Sequence, residues 1–345
     1  GIGHYFVPRY TRVVDTAESK DNINKAYNLI STSKVRNEMI IDDVITCVAR
    51  KQTPVILTRF KEHAKFLHDA LKEKADHVFL LYGDNSDKEN AEIRVKLKQI
   101  PENESLILVA TGQKIGEGFD FPRLDVLMLA APVSFEGRLE QYVGRLNRDY
   151  VGKEAVYVYD YIDSHVRYFD KMYAKRLRTY RKMGFSIWTQ ELQPKQIINA
   201  IFDSVNYTEK FEQDIVESEK MVVISSPDIR QDKIDRFLLL VKKRQEVGVK
   251  VTVITTDPED ITYGKSDVCY ELIIAMQLVG INVITRTEVE ECFAVIDDEI
   301  VWHGGMNLLG KADVWDNLMR IRNSQVATEL LEIALGCSEE RRKSE

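Results

Sequence analysis

The amino-acid sequence predicts an α/β protein with two units, and three observations support that prediction. The chain has 345 residues, more than the roughly 150 that one domain usually holds. Hydrophobic residues make up 44% and charged residues 30%, the balance of an ordinary globular chain. Short apolar runs alternate with amphipathic stretches of helical period, which indicates parallel sheets covered on both faces.

Apolar runs in the first half of the chain are predicted strands, because Val, Ile, Leu and aromatic residues dominate them. They cover residues 5–14, 54–58, 78–82, 105–111, 126–131 and 155–161. Between them, apolar side chains recur at helical spacing. The predicted helices are residues 61–72, 88–99, 138–148 and 166–181. Residues 1–52, with the first strand and two helices, are predicted to lead into a sheet domain at residues 53–190.

A second series of elements begins after residues 191–199, where Pro194 and its polar neighbours predict a linker. This series forms a second predicted domain, residues 200–336. Its elements are strands at 221–225, 249–256, 282–285 and 293–296 and helices at 233–246 and 268–278. Residues 301–302 are predicted to pair with the last strand as a hairpin, and the polar tail at 337–345 is predicted to fray.

Composition excludes several classes of protein. The longest apolar run, residues 126–131, is far shorter than the ~20 residues of a membrane-spanning helix, so no membrane partner is expected. The four cysteines lie far apart without a CxxC pair, which predicts no metal site and no disulfide framework and favours a reducing cytoplasm. Because the chain starts with Gly1 and has no initiator Met, we expect a piece of a longer protein.

Charge is unevenly distributed along the chain. Residues 1–190 carry a net charge of +4 and residues 191–345 one of −11, so the first half is the better candidate for binding phosphates. Residues 171–182 hold six basic side chains and no acidic one, with Tyr173 and Tyr180 between them. We expect the cations to bind nucleic-acid phosphates and the tyrosines to stack on bases; a solvated helix face is the alternative. The predicted contacts are Lys175, Arg176 and Arg178.

One segment places two arginines on one side of a predicted helix. Within residues 141–148, Gln141, Arg145 and Arg148 stand at positions i, i+4 and i+7, so their side chains share a face. Two guanidiniums on one face suit a triphosphate, and Gly144 allows a phosphate or a backbone to come close. A surface helix with solvated arginines is the alternative.

A glycine-rich loop precedes this helix in the chain. It follows the strand that ends at Thr111 and contains Gly112, Gly116 and Gly118, which free backbone amides for a phosphate or for tight packing. Such a loop by itself is also typical of an ordinary crossover between strands.

Together the two segments resemble the second RecA-like domain of superfamily-two (DEAD/DEAH-type) helicases, over roughly residues 50–185. The resemblance implies that Gln141, Arg145 and Arg148 bind ATP and that Arg148 is an arginine finger for its γ-phosphate. It also implies that Gly118 and Asp120 couple the nucleotide to bound nucleic acid.

The same resemblance implies contacts with nucleic acid. Thr111 matches the threonine that holds the nucleic-acid backbone, while Thr58 and Arg59 match a motif at the end of the first sheet strand. Glu117, just before Gly118, departs from the arginine of DEAD-box members and is more similar to translocase-type members. DNA and RNA both remain open as partners.

The other half of such an ATPase site is not in this sequence. A P-loop, G-x-x-x-x-G-K-[ST], holds the phosphates of ATP, and an acidic pair holds Mg²⁺. The only Gly-Lys-Ser, residues 264–266, has Glu259 where the first glycine belongs. We therefore expect an upstream helicase domain of the same parent chain to complete ATP and Mg²⁺ binding, and no ATP hydrolysis by this chain alone.

A second resemblance, at residues 290–307, is to the active-site segment of the phospholipase D superfamily. That segment is His-x-Lys-x-x-x-x-Asp, followed by a glycine-rich turn and an asparagine. Glu290 and Cys292 stand at the histidine and lysine positions. The other family positions are matched by Asp297, Gly304, Gly305 and Asn307. We expect the two glycines to allow a tight turn and Asp297 to accept backbone hydrogen bonds.

These departures predict an inactive phospholipase-D-like domain. The family attacks phosphorus with a histidine and neutralises phosphate with lysines, whereas Glu290 repels phosphate and Cys292 supplies no cation. His303 is expected to be structural. We expect part of an ATP-hydrolysing helicase or translocase with an inactive accessory domain. The alternatives are a nuclease or phosphodiesterase with a dimer-shared site, and a non-enzymatic module for docking or homodimerisation.

Overall fold

The computed structural model describes residues 2–112, 120–133, 136–188, 201–261, 266–287 and 289–336. The chain divides into two units, Gly1–Trp188 and Thr189–Glu345. Each unit carries a seven-stranded sheet with helices, so the predicted α/β class is confirmed. In the described part of the chain, no helix has both the length and the apolar character needed to span a membrane.

The sheet of the first unit is parallel. Its strands are β1 (Gly3–Tyr10), β2 (Pro54–Thr58), β3 (His77–Leu81), β4 (Leu106–Thr111), β5 (Val126–Leu129), β6 (Ala155–Ile162) and β7 (Ser186–Ile187). They pair in the order β3-β4-β2-β5-β6-β1-β7. The helices are α1 (Ile23–Thr32), α2 (Lys34–Ala49), α3 (Lys61–Leu71), α4 (Asp87–Gln99), α5 (Glu136–Leu146) and α6 (Arg167–Lys182).

The central strands of this sheet are buried along almost their whole length. Every residue of β2 and β5 is buried, and only the last residue of β4 is partly exposed. Strands covered on both faces need apolar side chains on both faces, so they appear in the sequence as continuous apolar runs. This is why the bounds of these strands agree closely with the predicted ones.

The N-terminal segment is an inner strand of the first sheet. β1 pairs in parallel with β6 from Gly3 opposite Ala155 to Tyr10 opposite Ile162, and with β7 on its other side. The Phe6 ring stacks on the ring of Tyr180, with 4.6 Å between their centroids. Residues 1–52, predicted as a lead-in to the sheet, therefore form part of the unit itself.

The sheet of the second unit mixes parallel and antiparallel strands. Its strands are β8 (Ile201–Asp203), β9 (Met221–Ser225), β10 (Lys250–Thr256), β11 (Asn282–Arg286), β12 (Cys292–Ile296), β13 (Ile300–Gly304) and β14 (Asn317–Arg322), in the order β11-β10-β9-β12-β13-β14-β8. The first three in that order are parallel, and the remaining pairs are antiparallel. The helices are α7 (Thr208–Val216), α8 (Gln231–Glu246), α9 (Ser266–Leu278) and α10 (Ser324–Leu331).

The predicted hairpin near residue 300 is present. β12 pairs with β13 so that Ala294 lies opposite Trp302, and the turn between them holds Asp297 and Asp298 with φ of 58° and 54°. Aspartate tolerates this left-handed conformation better than most residues, and such turns match the twist of a hairpin. The sequence pattern did not predict β8, β14, α7 or α10, which are short or alternate polar with apolar residues.

Candidate functional site

Helix α5 presents part of the predicted nucleotide-binding face. Leu139, Tyr142, Val143 and Leu146 are buried on its inner side. Gln141 is exposed and Arg145 is partly exposed. The helix ends at Leu146, where the N–H of Asn147 still donates to the carbonyl of Val143. The prediction that the helix continues to residue 148 was wrong, so Arg148 is placed by the loop that follows the helix.

That loop brings Arg148 to Asp120. The Nε of Arg148 lies 3.5 Å from Oδ1 of Asp120, and the two side chains are 60% and 53% exposed. Solvent screens such a pair, so its contribution to stability is on the order of 1 kcal/mol or less. The guanidinium is therefore free to exchange this carboxylate for another anion at little cost. Gly118, the other predicted coupling residue, lies outside the described residues.

Two glycines near these residues differ in what surrounds them. A Cβ added to Gly112 would lie 2.6 Å from the hydroxyl oxygen of the buried Tyr142, so any larger residue there would have to displace the end of the Tyr142 ring. A Cβ added to Gly144 would have no described atom outside its own helix within 4 Å. The surface beside Arg145 is therefore open on that side within the described part of the chain.

The predicted nucleic-acid residues meet at the carboxyl edge of the first sheet. Thr58, the last residue of β2, lies opposite Thr111, the last residue of β4. Thr111 is partly exposed there. Arg59 is exposed, and its guanidinium carbon lies 4.4 Å from the ring centroid of Tyr27. This cation–π contact holds the charge of Arg59 at the surface.

Thr58 does not offer its hydroxyl to a ligand, which corrects the prediction for that residue. It is buried, and its Oγ1 lies 2.5 Å from Nδ1 of His63. The Nε2 of His63 donates to Oδ1 of Asn37 at 2.8 Å, so Nδ1 is the acceptor and Thr58 the donor. Burial, with a smaller effect of Arg36, lowers the pKa of His63 to about 3. The threonine therefore anchors α3 and α2 to the strand end.

The basic helix α6 is only partly available to nucleic acid. Arg176 is buried, and its Nε and Nη2 each donate to the carboxylate of Asp160 at 2.8 Å. Tyr173 and Tyr180 have no exposed surface and cannot stack on bases. The predicted roles of these three residues were therefore wrong, because one face of the helix packs on the sheet. Lys175 is exposed and Arg178 is partly exposed, so both remain candidates for phosphate contacts.

In the second unit, the matched motif residues bind the protein's own backbone. The carboxylate of Asp297 accepts hydrogen bonds of 2.7 to 3.1 Å from the N–H groups of Glu219, Lys220 and Met221. Oδ1 of Asn307 accepts from the N–H of Asp228 at 2.9 Å. The expectation that Asp297 accepts backbone hydrogen bonds is confirmed.

Gly304 is needed for close packing of strands rather than for a turn. It is the last residue of β13, and a Cβ added there would lie 2.1 Å from the carbonyl oxygen of Asn317 in β14. Gly305 follows and donates its N–H to the same carbonyl at 3.3 Å. The prediction that a tight turn requires glycine was therefore wrong for Gly304, which lies in a strand, whereas the chain bends at Gly305.

The positions that depart from the phospholipase D pattern lie beside these residues. Cys292 is buried at the start of β12, opposite Gly304, and Glu290 is partly exposed just before that strand. His303 is fully buried between β12 and β14, where it lies opposite Phe293 and Met319. A histidine without exposed surface is unsuited to attack a phosphodiester, in agreement with the structural role expected for it.

The described residues fit phosphate better than they fit a metal ion. Arg145 and Arg148 are guanidinium groups at the surface, which suit the phosphates of ATP. Within the ranges that the structure describes, no group of three His, Cys, Asp or Glu side chains is placed to hold a metal ion. Mg²⁺ therefore has no ligand cluster among these residues.

Parts of the chain are similar to viral and phage proteins. No family model matches the chain. It is 30% identical over 138 residues to a "Transcript termination protein A18" of Yaba-like disease virus, covering 38% of this chain and 28% of that protein. It is 33% identical over 118 residues to a "Putative helicase 161L" of Invertebrate iridescent virus 6, covering 34% of this chain and 22% of that protein.

Among solved structures, the chain is similar to T4 UvsW, with a TM-score of 0.43 and 19% identity, covering 54% of this chain and 41% of that one. Of the two viral relatives, the chain covers less than a third of the length of each.

Proposed function

We propose that the first unit is the second RecA-like domain of an ATP-dependent nucleic-acid helicase or translocase. The observation that carries this proposal is the contact of Asp120 with Arg148, because the two residues come from separate segments that both resemble helicase motifs. Gln141 and Arg145 lie on the helix that leads to Arg148. The names of the two viral relatives, a transcript termination protein and a putative helicase, support the same function.

In this proposal, Arg145 and Arg148 contact the phosphates of ATP. A planar guanidinium matches phosphate oxygens in shape, and its charge stabilises the negative charge that develops during phosphoryl transfer. Asp120 orients the guanidinium of Arg148 until phosphate takes its place as partner. An upstream helicase domain of the parent chain supplies the P-loop and the acidic residues for Mg²⁺.

The proposed nucleic-acid partner, DNA or RNA, lies along the carboxyl edge of the first sheet. Thr111 contacts its backbone, and Arg59 contributes a charge that Tyr27 already holds at the surface. Lys175 and Arg178 add phosphate contacts from α6. Thr58 and Arg176 support these groups from the interior instead of touching the ligand.

For the second unit we propose an inactive phospholipase-D-like accessory domain. Glu290 and Cys292 replace the nucleophile and a phosphate-binding cation, and the hydrogen bonds of Asp297 and Asn307 are made to backbone. We propose that this unit has a non-enzymatic role, the formation of a homodimer. Cleavage of a model phosphodiester by the unmodified chain would replace this proposal with the nuclease alternative.

The variant Arg148→Ala in the parent protein tests the helicase proposal. We expect the kcat of ATP hydrolysis to fall by about 10³-fold or more, the usual contribution of an arginine finger. The unfolding midpoint should stay the same, because the ion pair that is lost is exposed. Lys65→Ala, which removes an exposed lysine of α3, is the matched control. Unchanged turnover in Arg148→Ala would contradict the proposal.

A further inference from the structure

Lys153 lies in the connection between α5 and β6, and its ammonium group contacts four backbone carbonyl groups. Its Nζ is 2.9 Å from the carbonyl oxygen of Pro122, 2.8 Å from that of Leu124 and 3.0 Å from that of Arg148. It also donates to the carbonyl of Leu146. The side chain is half-buried, and burial lowers the pKa of Lys153 from its usual value.

These carbonyls belong to two segments that carry the proposed site. Leu146 is the last residue of α5, where helix carbonyls lack partners within the helix and a cation is favoured by the helix dipole, and Arg148 follows it in the loop. Pro122 and Leu124 follow Asp120 in the chain. One ammonium group therefore ties the backbone that carries Arg148 to the backbone that carries Asp120.

We infer that Lys153 is a positioning residue for the Asp120–Arg148 pair, an inference that rests on the proposed function. Arg148 lies beyond the end of its helix, so helix geometry does not place it. The pair itself is exposed and weak, so it does not hold the two segments together. The three N–H donors of the ammonium group, shared among the four carbonyl oxygens, are better suited to that task.

The inference is tested by removing the ammonium group and then returning it. In Lys153→Ala of the parent protein, we expect kcat for ATP hydrolysis to fall on the order of 10²-fold, as for a misplacement of ~1 Å, with little change in KM. n-Propylammonium, which replaces the deleted atoms, should restore much of the lost kcat. Tetramethylammonium has the same charge but no N–H donor, so it should restore none.

A second measurement, amide hydrogen exchange, reports on the stability of the two segments themselves. Amide hydrogen exchange of Asn147 and Leu124 should become faster in Lys153→Ala and slow again with n-propylammonium, because their bonds to Val143 and Phe121 lie in the segments that Lys153 joins. Lys65→Ala should leave both rates unchanged. If Lys153→Ala does not fold, Lys153→Met keeps the buried stem and supports the kcat and amide-exchange measurements without the rescue, because its side chain fills the space that n-propylammonium would take.

The outcomes separate this inference from the proposed function. Loss of turnover in Arg148→Ala together with full turnover in Lys153→Ala would overturn the role of Lys153 and leave the helicase proposal standing. Equal rescue by both ammonium ions would show that charge, and not hydrogen bonding, is required, and would also overturn it. Unchanged amide exchange in Lys153→Ala would do the same whatever the result for Arg148→Ala.

Discussion

In the first unit, Asp120 and Arg148 meet at 3.5 Å with more than half of each side chain exposed, whereas in the second unit Asp297 accepts hydrogen bonds from three backbone N–H groups. The first pair can change partners at little cost, because water already competes for both groups. The second carboxylate changes partners at a higher cost, because several hydrogen bonds from backbone N–H groups to one charged acceptor would be lost together. Motif residues of similar type are thus exposed and exchangeable in one unit and bound to the backbone in the other.

Two adjacent residues of α6 are expected to differ most in their effect on stability. Arg176→Met should lower the free energy of unfolding by about 3–5 kcal/mol, because it leaves the buried carboxylate of Asp160 without its ion-pair partner. Lys175→Met, at the next residue but on the exposed side, should change stability by less than about 0.5 kcal/mol. Urea unfolding of both variants measures the difference.

The same pair of variants separates the two roles in binding. Loss of one phosphate contact at Lys175 should reduce the slope of log affinity against log salt concentration by about 0.7 to 0.9. An unchanged slope would assign Lys175 to an ordinary solvated helix face. Arg176→Met should be measured only below its own unfolding transition, since unfolding alone would weaken binding.

Two glycines provide the next contrast. Gly304→Ala should destabilise the second unit by about 3 kcal/mol, because the new Cβ would meet backbone of β14 at 2.1 Å. Gly144→Ala should stabilise the first unit by about 0.5–1 kcal/mol, because alanine is favoured in a helix and the added Cβ meets no atom of the described residues outside that helix. Thermal unfolding followed by circular dichroism tests both, and a neutral Gly304→Ala would refute the packing argument.

The carboxylates Asp297 and Asp120 are also expected to differ in their effect on stability, by a smaller amount. Asp297→Ala should lower the free energy of unfolding by about 2 kcal/mol, since it removes several hydrogen bonds that backbone N–H groups of residues 219–221 donate to a charged carboxylate. Asp120→Ala should change it by less than about 0.5 kcal/mol. If the two variants were equally destabilised in denaturant titrations, the proposed division between ligand and fold would not hold.

The last prediction concerns pH and His63. Its pKa is lowered from 6.5 to about 3 by burial, so the folded protein keeps the ring neutral while the unfolded chain takes up a proton below pH 6.5. The stability that this histidine contributes is complete above pH 6.5. It is lost as the pH falls toward about 3, with a limiting slope of about 1.4 kcal/mol per pH unit.

A comparison with His63→Asn isolates this contribution. Asp125 acts in the opposite sense, because burial raises its pKa to about 6 and favours its protonated form in the folded state. Its contribution is complete below its usual pKa of 3.8 and is lost as the pH rises through about 6. Only the difference between the wild type and His63→Asn therefore reports on the histidine. A pH-independent difference would contradict the assignment of a neutral ring.

Much of the first unit was predictable because its strands are buried on both faces. β2 and β4 are continuous apolar runs, and such runs are visible in any sequence without knowledge of their neighbours. In the second unit, β8 and β14 were not predicted, since β8 has only three residues and β14 mixes polar with apolar side chains. Asp120 and Arg148 were found by motif. The contacts of Lys153 were not, because backbone carbonyl groups occur in every residue and give no signal in the sequence.

The α/β class could be predicted from the sequence alone, because it follows from local periodicity. The motifs were also visible there, because they depend only on the types of side chain and their spacing. The tertiary structure determines which of those side chains are exposed and which are buried with partners. A run of basic residues does not reveal that Arg176 turns inward to Asp160 while Lys175 stays outside, and a strand-end threonine does not reveal His63 behind it. Burial and partner are set by residues far away in the chain, here by the packing of α6 and α3 on the sheet, and no local pattern contains that information.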